Sequence, residues 1–325
     1  MKKMTLAVDT MGGDLGPSAA VEGAFRAAQE FPQANLLLVG PEEILAQEMR
    51  KHGDNAHISI LHAPEVIDPG EAPTTAIREK KASSIVMGLR AVKNGEAQGF
   101  VSAGSTGALL TGATLIIGRQ PGIERPALGT LLPTAKGFVL LIDSGANMDC
   151  KPAYLLQFGQ LGAEYMQKVM GIASPRVGLV NVGAEAEKGN AATKEAYPLL
   201  ADSGLNFAGN IEGREIPAGA VDVAVCDGFT GNVILKFTEG FAKTMMGMIK
   251  TELMATFISK MGALLAKGAF GKLKTRFDYR EVGGAPFLGL KSLVVKAHGS
   301  SDALAFKNAI RQCVIYNEGR NTHGI

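Results

Sequence analysis

The stretch Gly99-Phe100-Val101-Ser102-Ala103-Gly104-Ser105-Thr106-Gly107-Ala108 decides the fold of this chain. Its apolar run ends at Val101, glycines and hydroxyl residues follow, and the apolar residues 108–117 predict a buried helix. A strand that turns through glycines into a helix places the free N–H groups and the positive dipole end of the helix together. The turn at 102–107 therefore predicts an anion site or, alternatively, a tight turn with an N-cap and no ligand. It matches neither the Walker pattern nor G-x-G-x-x-G, so it indicates no nucleotide.

Five further polar, glycine-containing turns follow apolar strands, at residues 11–14, 143–147, 181–190, 227–232 and 298–301. Strands alternate with helices along the chain, which predicts an α/β fold with a doubly wound, mostly parallel sheet formed by one domain over residues 1–325. Residues 127–132 and 137–142 are adjacent apolar strands and predict an antiparallel addition. Ligands of open α/β sheets bind outside the carboxyl ends of the strands, so we expect the six turns to border one pocket.

Composition narrows the classes of protein to which the chain can belong. Of its 325 residues, 46% are hydrophobic and 20% are charged, which is typical of a globular protein. A net charge of +2, no tryptophan and no basic patch with interleaved aromatic residues argue against a nucleic-acid partner. Cys150, Cys226 and Cys313 fit no disulfide or metal spacing, and the five histidines form no ligand pair, so we expect a reducing cytosol and no metal site.

The motifs in these turns resemble those of a known family. The resembling motifs run in one order along nearly the whole chain: Val8-Asp9-Thr10-Met11-Gly12-Gly13-Asp14, Ser102-Ala103-Gly104-Ser105-Thr106-Gly107-Ala108, Gly122-Ile123-Glu124-Arg125-Pro126-Ala127, Asp227-Gly228-Phe229-Thr230-Gly231-Asn232-Val233 and His298-Gly299-Ser300-Ser301-Asp302. They are similar to the bacterial phosphate acyltransferases called PlsX, the acyl-acyl-carrier-protein:phosphate acyltransferases. The family commonly has asparagine where this chain has Ser105, which leaves the role of Ser105 itself open.

The resemblance implies transfer of a long-chain acyl group from the thioester of acyl carrier protein to inorganic phosphate, giving acyl phosphate for phosphatidic acid and phospholipid synthesis. It implies a Rossmann-like fold similar to phosphotransacetylases and the isocitrate dehydrogenase-like group, a homodimer and no required organic cofactor. It places the protein in the cytoplasm, peripheral to the inner face of the cell membrane. An acylphosphate:glycerol-3-phosphate acyltransferase of the membrane is a further partner to expect.

Within this framework the residues receive expected roles. Lys188, in the 181–190 turn, is expected to place a positive charge beside phosphate. Asn232 is expected to orient the substrate or to stabilise an oxyanion. Asp227 and His298 are weaker candidates for orienting Lys188 or protonating the departing thiol. Substrate binding is assigned to residues of three turns and of the strand end before one of them, namely Ser102, Gly104, Ser105, Thr106, Gly107, Asp9, Gly12, Gly13 and Asn147. Lys188 as an ordinary surface lysine and His298 as a structural histidine remain open alternatives. So do roles as helix caps and turn formers for Asp9, Asp14, Asp143 and Asn147.

The segment at 253–277, within a helical extension at 233–280, has a separate pattern. Its apolar residues recur at helical one-face spacing and it contains no acid from Leu253 to Arg276, whereas basic residues are frequent. We expect Gly262, Gly268 and Gly271 to divide it into short helices. One part is predicted to pair two subunits and its tip to contact anionic lipid, through Phe257, Ile258, Met261, Leu264 and Leu265. The alternative is a helix packed entirely in the core or at a dimer interface.

Three other functions fit parts of the pattern. A short-chain phosphotransacylase that uses acyl-CoA does not explain the long apolar segment near the C-terminus. A decarboxylating NAD-dependent dehydrogenase of similar fold needs metal-binding aspartates and an adenosine loop that we cannot place. A membrane scaffold without catalytic activity would be inactive with every acyl donor.

Overall fold

A computed structural model describes residues 3–276 and 278–318. Its strands are β1 (Met4–Asp9), β2 (Ala34–Gly40), β3 (Ile58–His62), β4 (Gly99–Ser102), β5 (Ala127–Thr134), β6 (Gly137–Ile142), β7 (Val177–Asn181), β8 (Phe207–Glu212), β9 (Val223–Val225), β10 (Ala285–Leu288) and β11 (Leu293–Lys296). Of these, β8 and β10 have no counterpart in the sequence prediction, because β8 contains Gly209 and Asn210 and β10 contains Pro286, which are poor strand residues.

The helices pack on both faces of the sheet or extend beyond it. They are α1 (Gly16–Glu30), α2 (Glu42–Arg50), α3 (Pro73–Glu79), α4 (Ser84–Lys93), α5 (Thr106–Ile116), α6 (Pro152–Lys168), α7 (Ala191–Ala201), α8 (Gly228–Leu253), α9 (Phe257–Leu265), α10 (Lys267–Arg276), α11 (Tyr279–Val282) and α12 (Ala303–Glu318). The α/β class and the mostly parallel sheet predicted from the sequence are confirmed.

One sheet carries all eleven strands of the described residues, in the order β3-β2-β1-β4-β11-β10-β5-β6-β9-β7-β8. The first five strands in that order are parallel, and the last four are parallel to one another. Three successive antiparallel pairings, β11 with β10, β10 with β5 and β5 with β6, join the two groups. The expected antiparallel pair at β5 and β6 is therefore present. Because three reversals separate them, the two parallel groups run in opposite directions.

Each parallel group is buried on both faces. α1 and α12 cover one face of the first group, where Leu6, Leu36 and Phe306 are buried, and α4 and α5 cover the other. On the second group, α6 packs over β6 and β9, and Phe158 and Met166 are fully buried there. Burial on both faces explains why these strands are continuous apolar runs in the sequence.

The helical extension consists of the later part of α8 with α9 and α10. The expected division at glycines is wrong, because Gly262 lies inside α9 and Gly268 and Gly271 lie inside α10. The chain instead leaves α8 at Met254, and Thr256 caps α9 by accepting a hydrogen bond from the backbone N–H of Ser259 (3.1 Å). Phe277, the last residue of the segment considered in the sequence, lies outside the described residues.

Every helix in the described part of the chain is too short or too polar to cross a membrane.

Candidate active site

A cavity of about 1060 Å³ lies over β5, between the two parallel groups of the sheet. Its polar end is formed by Thr106, Ser144, Asn232, Lys296, His298 and Ser301. Leu128, Leu132 and Pro133 of β5 line the rest of the cavity together with Leu235, Ala242 and Met246 of α8, and the charged side chains of Lys236, Glu239 and Lys243 lie between these α8 residues. Leu235 and Met246 are 11 residues apart, which is about 16 Å of helix at 1.5 Å rise per residue. The cavity therefore combines a polar end with a long, largely apolar wall.

Asp9 at the end of β1 organises the turns at 11–14 and 102–107. Its buried carboxylate accepts hydrogen bonds from the Ser102 hydroxyl (2.6 Å) and the backbone N–H groups of Met11 and Gly12 (3.0 and 3.2 Å). The Ser102 hydroxyl in turn accepts from the N–H of Gly104 (3.0 Å). A Cβ on Gly12 would lie 2.4 Å from the nitrogen of Gly104, so only glycine permits this approach. Asp9, Gly12, Ser102 and Gly104 thus hold the two turns together.

Of the remaining residues of the 102–107 turn, two have structural contacts and one lines the cavity. Ser105 is the N-cap of α5 and accepts from the N–H of Ala108 (3.4 Å), as the alternative without a ligand expects. Gly107 packs against Pro73 from α3, and Gly13 packs against the carbonyl of Gly299. Only Thr106 of this turn lines the cavity.

Asp143, at the end of β6, performs the corresponding task in the second group. Its buried carboxylate accepts from the backbone N–H groups of Leu128, Gly145, Ala146 and Asn147 and from the Asn147 side-chain amide. Burial raises the pKa of Asp143, and these donors oppose that shift. The Asn147 amide also donates to the carbonyl of Pro126 (2.9 Å), so Asn147 is used in forming the turn and does not line the cavity.

α8 begins where this turn ends. Asp227 is its N-cap and accepts from the N–H of Thr230 (2.7 Å), a role that the sequence analysis did not consider for it. Asn232, one turn further on, lines the cavity beside Gly145, whose φ of 133° lies in the region that favours glycine. Cys226 is buried, which raises the pKa of its thiol and keeps it protonated at neutral pH.

The 298–301 turn brings the last polar groups. The His298 ring lies 2.8 Å from the Ser300 hydroxyl and 3.3 Å from the ammonium nitrogen of Lys236 on α8. Burial and the Lys236 charge lower the pKa of His298, so its ring is neutral at pH 7. Lys296, two residues earlier, lines the cavity and donates to the carbonyl of Ala103 (3.2 Å).

The structure places Lys188 away from these residues. Lys188 is exposed on the 181–190 turn, and neither it nor any other residue of that turn lines the cavity. β7 is six strands from β4 in the sheet, or about 29 Å at 4.8 Å per strand. The expectation that all six turns border one pocket is therefore wrong: four contribute to it, the 11–14 turn packs behind it, and the 181–190 turn lies elsewhere.

Sequence reasoning missed Lys296 and the β5 wall. Lys296 is the one charged residue in the run Leu293-Val294-Val295-Lys296-Ala297, directly before the 298–301 turn. A lysine at the carboxyl end of a buried strand could have indicated a binding residue, because ligands of α/β sheets bind at those strand ends. The β5 wall carries no polar motif, and only the strand order shows that it faces α8.

The chain is similar to known proteins along almost its whole length. A family model described as "Fatty acid synthesis protein" matches residues 4–318. A protein named phosphate acyltransferase from Clostridium botulinum is 52% identical over 313 residues, covering 96% of this chain and 93% of the relative. One of the same name from Clostridium perfringens is 50% identical over 317 residues, covering 97% and 94%.

Two solved structures share the fold. A phosphotransacetylase from Streptococcus pyogenes aligns with a TM-score of 0.62 at 19% identity, covering 97% of this chain and 94% of that one. The EutD phosphotransacetylase from Staphylococcus aureus aligns with a TM-score of 0.61 at 15% identity, covering 98% and 94%. At these identities the likeness concerns the fold alone.

Proposed function

The chain belongs to the fatty acid synthesis protein family, that of the PlsX phosphate acyltransferases, and from this premise we propose that it transfers a long-chain acyl group from acyl carrier protein to phosphate. Acyl transfer to phosphate follows from the family and from relatives at 50–52% identity. The long acyl chain, the carrier-protein donor and the role in phospholipid synthesis are our proposal.

One observation carries this proposal: the cavity has a polar end beside a long, largely apolar wall. From Leu235 to Met246 the wall runs about 16 Å along α8, by the rise of 1.5 Å per residue. On the β5 side, Leu132 belongs to the buried cluster against which Leu235 of α8 packs. A fatty acyl chain is apolar along its length and ends in a polar thioester. A short acyl group would leave this wall unused.

The reaction needs positioning more than acid or base. Phosphate is largely a dianion near neutral pH, since its second pKa is about 6 to 7, and a thiolate with a pKa near 8.5 is a fair leaving group. A phosphate oxygen attacks the thioester carbon, the C–O bond forms and the C–S bond breaks. The proton of hydrogen phosphate ends on the thiolate, so the products are acyl phosphate and the free thiol.

Asn232 and the 102–107 turn provide the groups for this step. We assign the oxyanion donor to Asn232, because its side-chain amide lines the cavity beside the backbone of Gly145. Thr106 presents the 102–107 turn to the cavity, and His298 lies where the departing thiol would collect its proton. The phosphate-binding role of Lys188 stays a prediction from the sequence. Its ammonium donates no hydrogen bond to any described residue and lies outside the cavity.

The helical extension supports a dimer at a membrane surface. Phe229, Val233, Phe237, Phe241, Met245 and Met248 recur on one face of α8 and are 42–68% exposed. Five apolar side chains of α9 are exposed, from Met261 at 47% to Leu265 at 86%. We propose that the α8 face pairs with a second copy of the chain and that α9 enters the headgroup layer of the inner face of the cell membrane. Release there protects a greasy acyl phosphate from water.

Docking of the acidic carrier protein is proposed at basic residues near the cavity. Lys236 and Lys243 of α8 are exposed at the rim. Lys80, directly after α3, is less available to a partner, because it pairs with Glu71 at 2.5 Å and donates to the carbonyl of Val66.

The test is formation of acyl phosphate by the purified protein, trapped as a hydroxamate and followed with labelled phosphate. Palmitoyl and acetyl thioesters of acyl carrier protein and of coenzyme A provide four donors that separate chain length from carrier. We expect the palmitoyl carrier-protein thioester to give the highest kcat/KM. A clear preference for acetyl-CoA would make the protein a short-chain phosphotransacylase, and inactivity with all four donors would contradict acyl transfer.

A further inference from the structure

We propose that Lys296 and Ser301 form the subsite that binds inorganic phosphate at the polar end of the cavity. The inference rests on the proposed function, because it names the groups that hold one of the two substrates. It assigns the cation of that subsite to Lys296, which no sequence motif indicated, and not to the exposed Lys188.

Lys296 is placed to hold an anion beside the 102–107 turn. Its ammonium donates to the carbonyl oxygens of Ala103, in that turn, and Ala297. An ammonium has three N–H bonds, and these two carbonyls are its hydrogen-bond acceptors among the described residues, so one N–H is left for a ligand. Lys296 is partly buried and lines the cavity, where screening by water is weak.

Ser301 supplies an independent observation. It is 2% exposed, lines the same cavity, and its hydroxyl has no hydrogen-bond partner within the described part of the chain. Buried hydroxyl groups are nearly always paired, and leaving one unpaired is costly. A phosphate oxygen would accept from the Ser301 hydroxyl at the end of the cavity that Lys296 borders. Thr106 and Ser300 line the same end with further hydroxyl donors.

The charges around Lys296 suit a dianion. Burial, the largest cause, and the charge of Lys236 lower the pKa of Lys296 to about 8, against the opposing effect of Asp9 and Asp14. His298, also at this end, is neutral at pH 7 because its pKa is lowered. Lys296 is therefore mostly charged at neutral pH but incompletely paired by protein groups. Bound phosphate would stabilise its charged form.

The experiment measures protection of the protein from thermal unfolding by sodium phosphate, against sodium chloride at equal ionic strength. Four variants are compared with the wild type: Lys296→Met, Ser301→Ala, Lys188→Met and, as a matched control, Lys291→Met, an exposed lysine outside the cavity. We expect the apparent phosphate Kd to rise at least tenfold in Lys296→Met and severalfold in Ser301→Ala. Lys188→Met and Lys291→Met should retain the wild-type Kd.

Two readouts separate binding from a structural role. Ser301→Ala should have an unchanged or higher melting temperature without phosphate, since it removes an unpaired buried hydroxyl; a lower one would give Ser301 a structural role and contradict its part in the subsite. Wild-type protection should be weaker at pH 9 than at pH 7, because Lys296 loses its proton above about pH 8 while phosphate stays a dianion. If Lys296→Met does not fold, Ser301→Ala and the pH dependence decide.

The proposal is overturned by equal phosphate protection of Lys296→Met and the wild type, or by loss of protection in Lys188→Met alone. Because protection needs no acyl donor, the result is independent of the acyl-transfer assay. If the wild type is active and Lys296→Met has the same KM for phosphate, the subsite is contradicted and the proposed function still stands. A wild-type protein that phosphate protects from unfolding but that transfers no acyl group would contradict the proposed function and leave the phosphate subsite.

Discussion

The α/β body and the helical extension present similar sequence patterns and opposite burial. α6 in the body and α9 in the extension both carry apolar residues at one-face helical spacing. In α6, Leu155 and Phe158 are at most 1% exposed, whereas in α9 Phe257 and Leu265 are 78% and 86% exposed. A periodic pattern therefore identifies an apolar face but does not identify what covers it. The body covers its own apolar faces, whereas those of the extension are exposed, and the proposed second copy and lipid surface would cover them.

α8 belongs to both regions. Asn232, near its start, lines the cavity. Phe237 and Phe241 lie on an adjacent face and are exposed to solvent, with their rings stacked at a centroid distance of 5.7 Å. If a second copy covers that face, assembly also fixes one wall of the cavity. Each prediction below changes one of the two regions and asks whether the other responds.

The largest expected effect is on assembly. Burial of an aromatic side chain is worth roughly 1.5–3 kcal/mol, and two-fold symmetry counts each ring twice. We therefore expect the double variant Phe237→Glu/Phe241→Glu to raise the dimer Kd at least about 10³-fold. Sedimentation velocity across a concentration series measures this, with Leu115→Glu, an exposed leucine on α5, as the control. A wild-type protein that is monomeric, or a double variant that still dimerises, would contradict the assignment of the α8 face.

The next effect is on catalysis in the body. Loss of one oxyanion donor costs about 10²–10³ in kcat, so Asn232→Ala should lose that much while carrier-protein binding changes little. Asn206→Ala is the matched control, since Asn206 is exposed and donates only to the carbonyl of Ser174 (3.1 Å). Both variants should remain dimeric. Weakened carrier binding with normal turnover would assign Asn232 to docking and not to chemistry.

The body was predictable from the sequence because its rules are local. Apolar strands, glycine turns and the cap at Ser105 follow from residue type and spacing. Strand order is not local, and it placed the two halves of the sheet in opposite directions. β8 and β10 were missed because tertiary pairing overrides the poor strand propensity of their residues.

The same distinction explains the candidate site. Lys188 and Lys296 both stand beside a glycine turn after a buried strand, and no local feature separates them. β11 pairs with β4, so Lys296 reaches the 102–107 turn, whereas β7 lies near the far edge of the sheet. Arg276 shows a similar effect in the extension. It ends the stretch without acidic residues for which a lipid contact is predicted, yet it lines the cavity and donates to the carbonyl of Thr134.

A smaller effect is expected on membrane binding. The double variant Leu264→Gln/Leu265→Gln keeps the charge and removes two exposed apolar side chains, so its affinity for anionic vesicles should fall about tenfold or more. Wild-type binding should weaken with salt, because Lys260, Lys267 and Lys272 are exposed in this region. Vesicle sedimentation measures both, with Leu115→Gln/Leu199→Gln as a control with two exposed leucines outside the extension. Equal binding by the wild type and the α9 variant would leave α9 without a lipid role.

The smallest effect tests the apolar wall of the cavity through two glycines of α8. A Cβ on Gly240 or on Gly247 meets no atom within 4 Å, and only Gly240 lines the cavity. Replacing either by leucine should stabilise the helix by about 0.5–1 kcal/mol, because glycine is a poor helix former. Gly240→Leu should in addition narrow the cavity and lower kcat/KM for palmitoyl relative to short-chain donors about fivefold, or about 1 kcal/mol. Gly247→Leu should leave that ratio unchanged, and sedimentation must show both variants as dimers. If the two variants shift chain-length preference equally, the acyl chain does not lie along this stretch of α8, and the wall of about 16 Å (11 residues at 1.5 Å each) loses its proposed role.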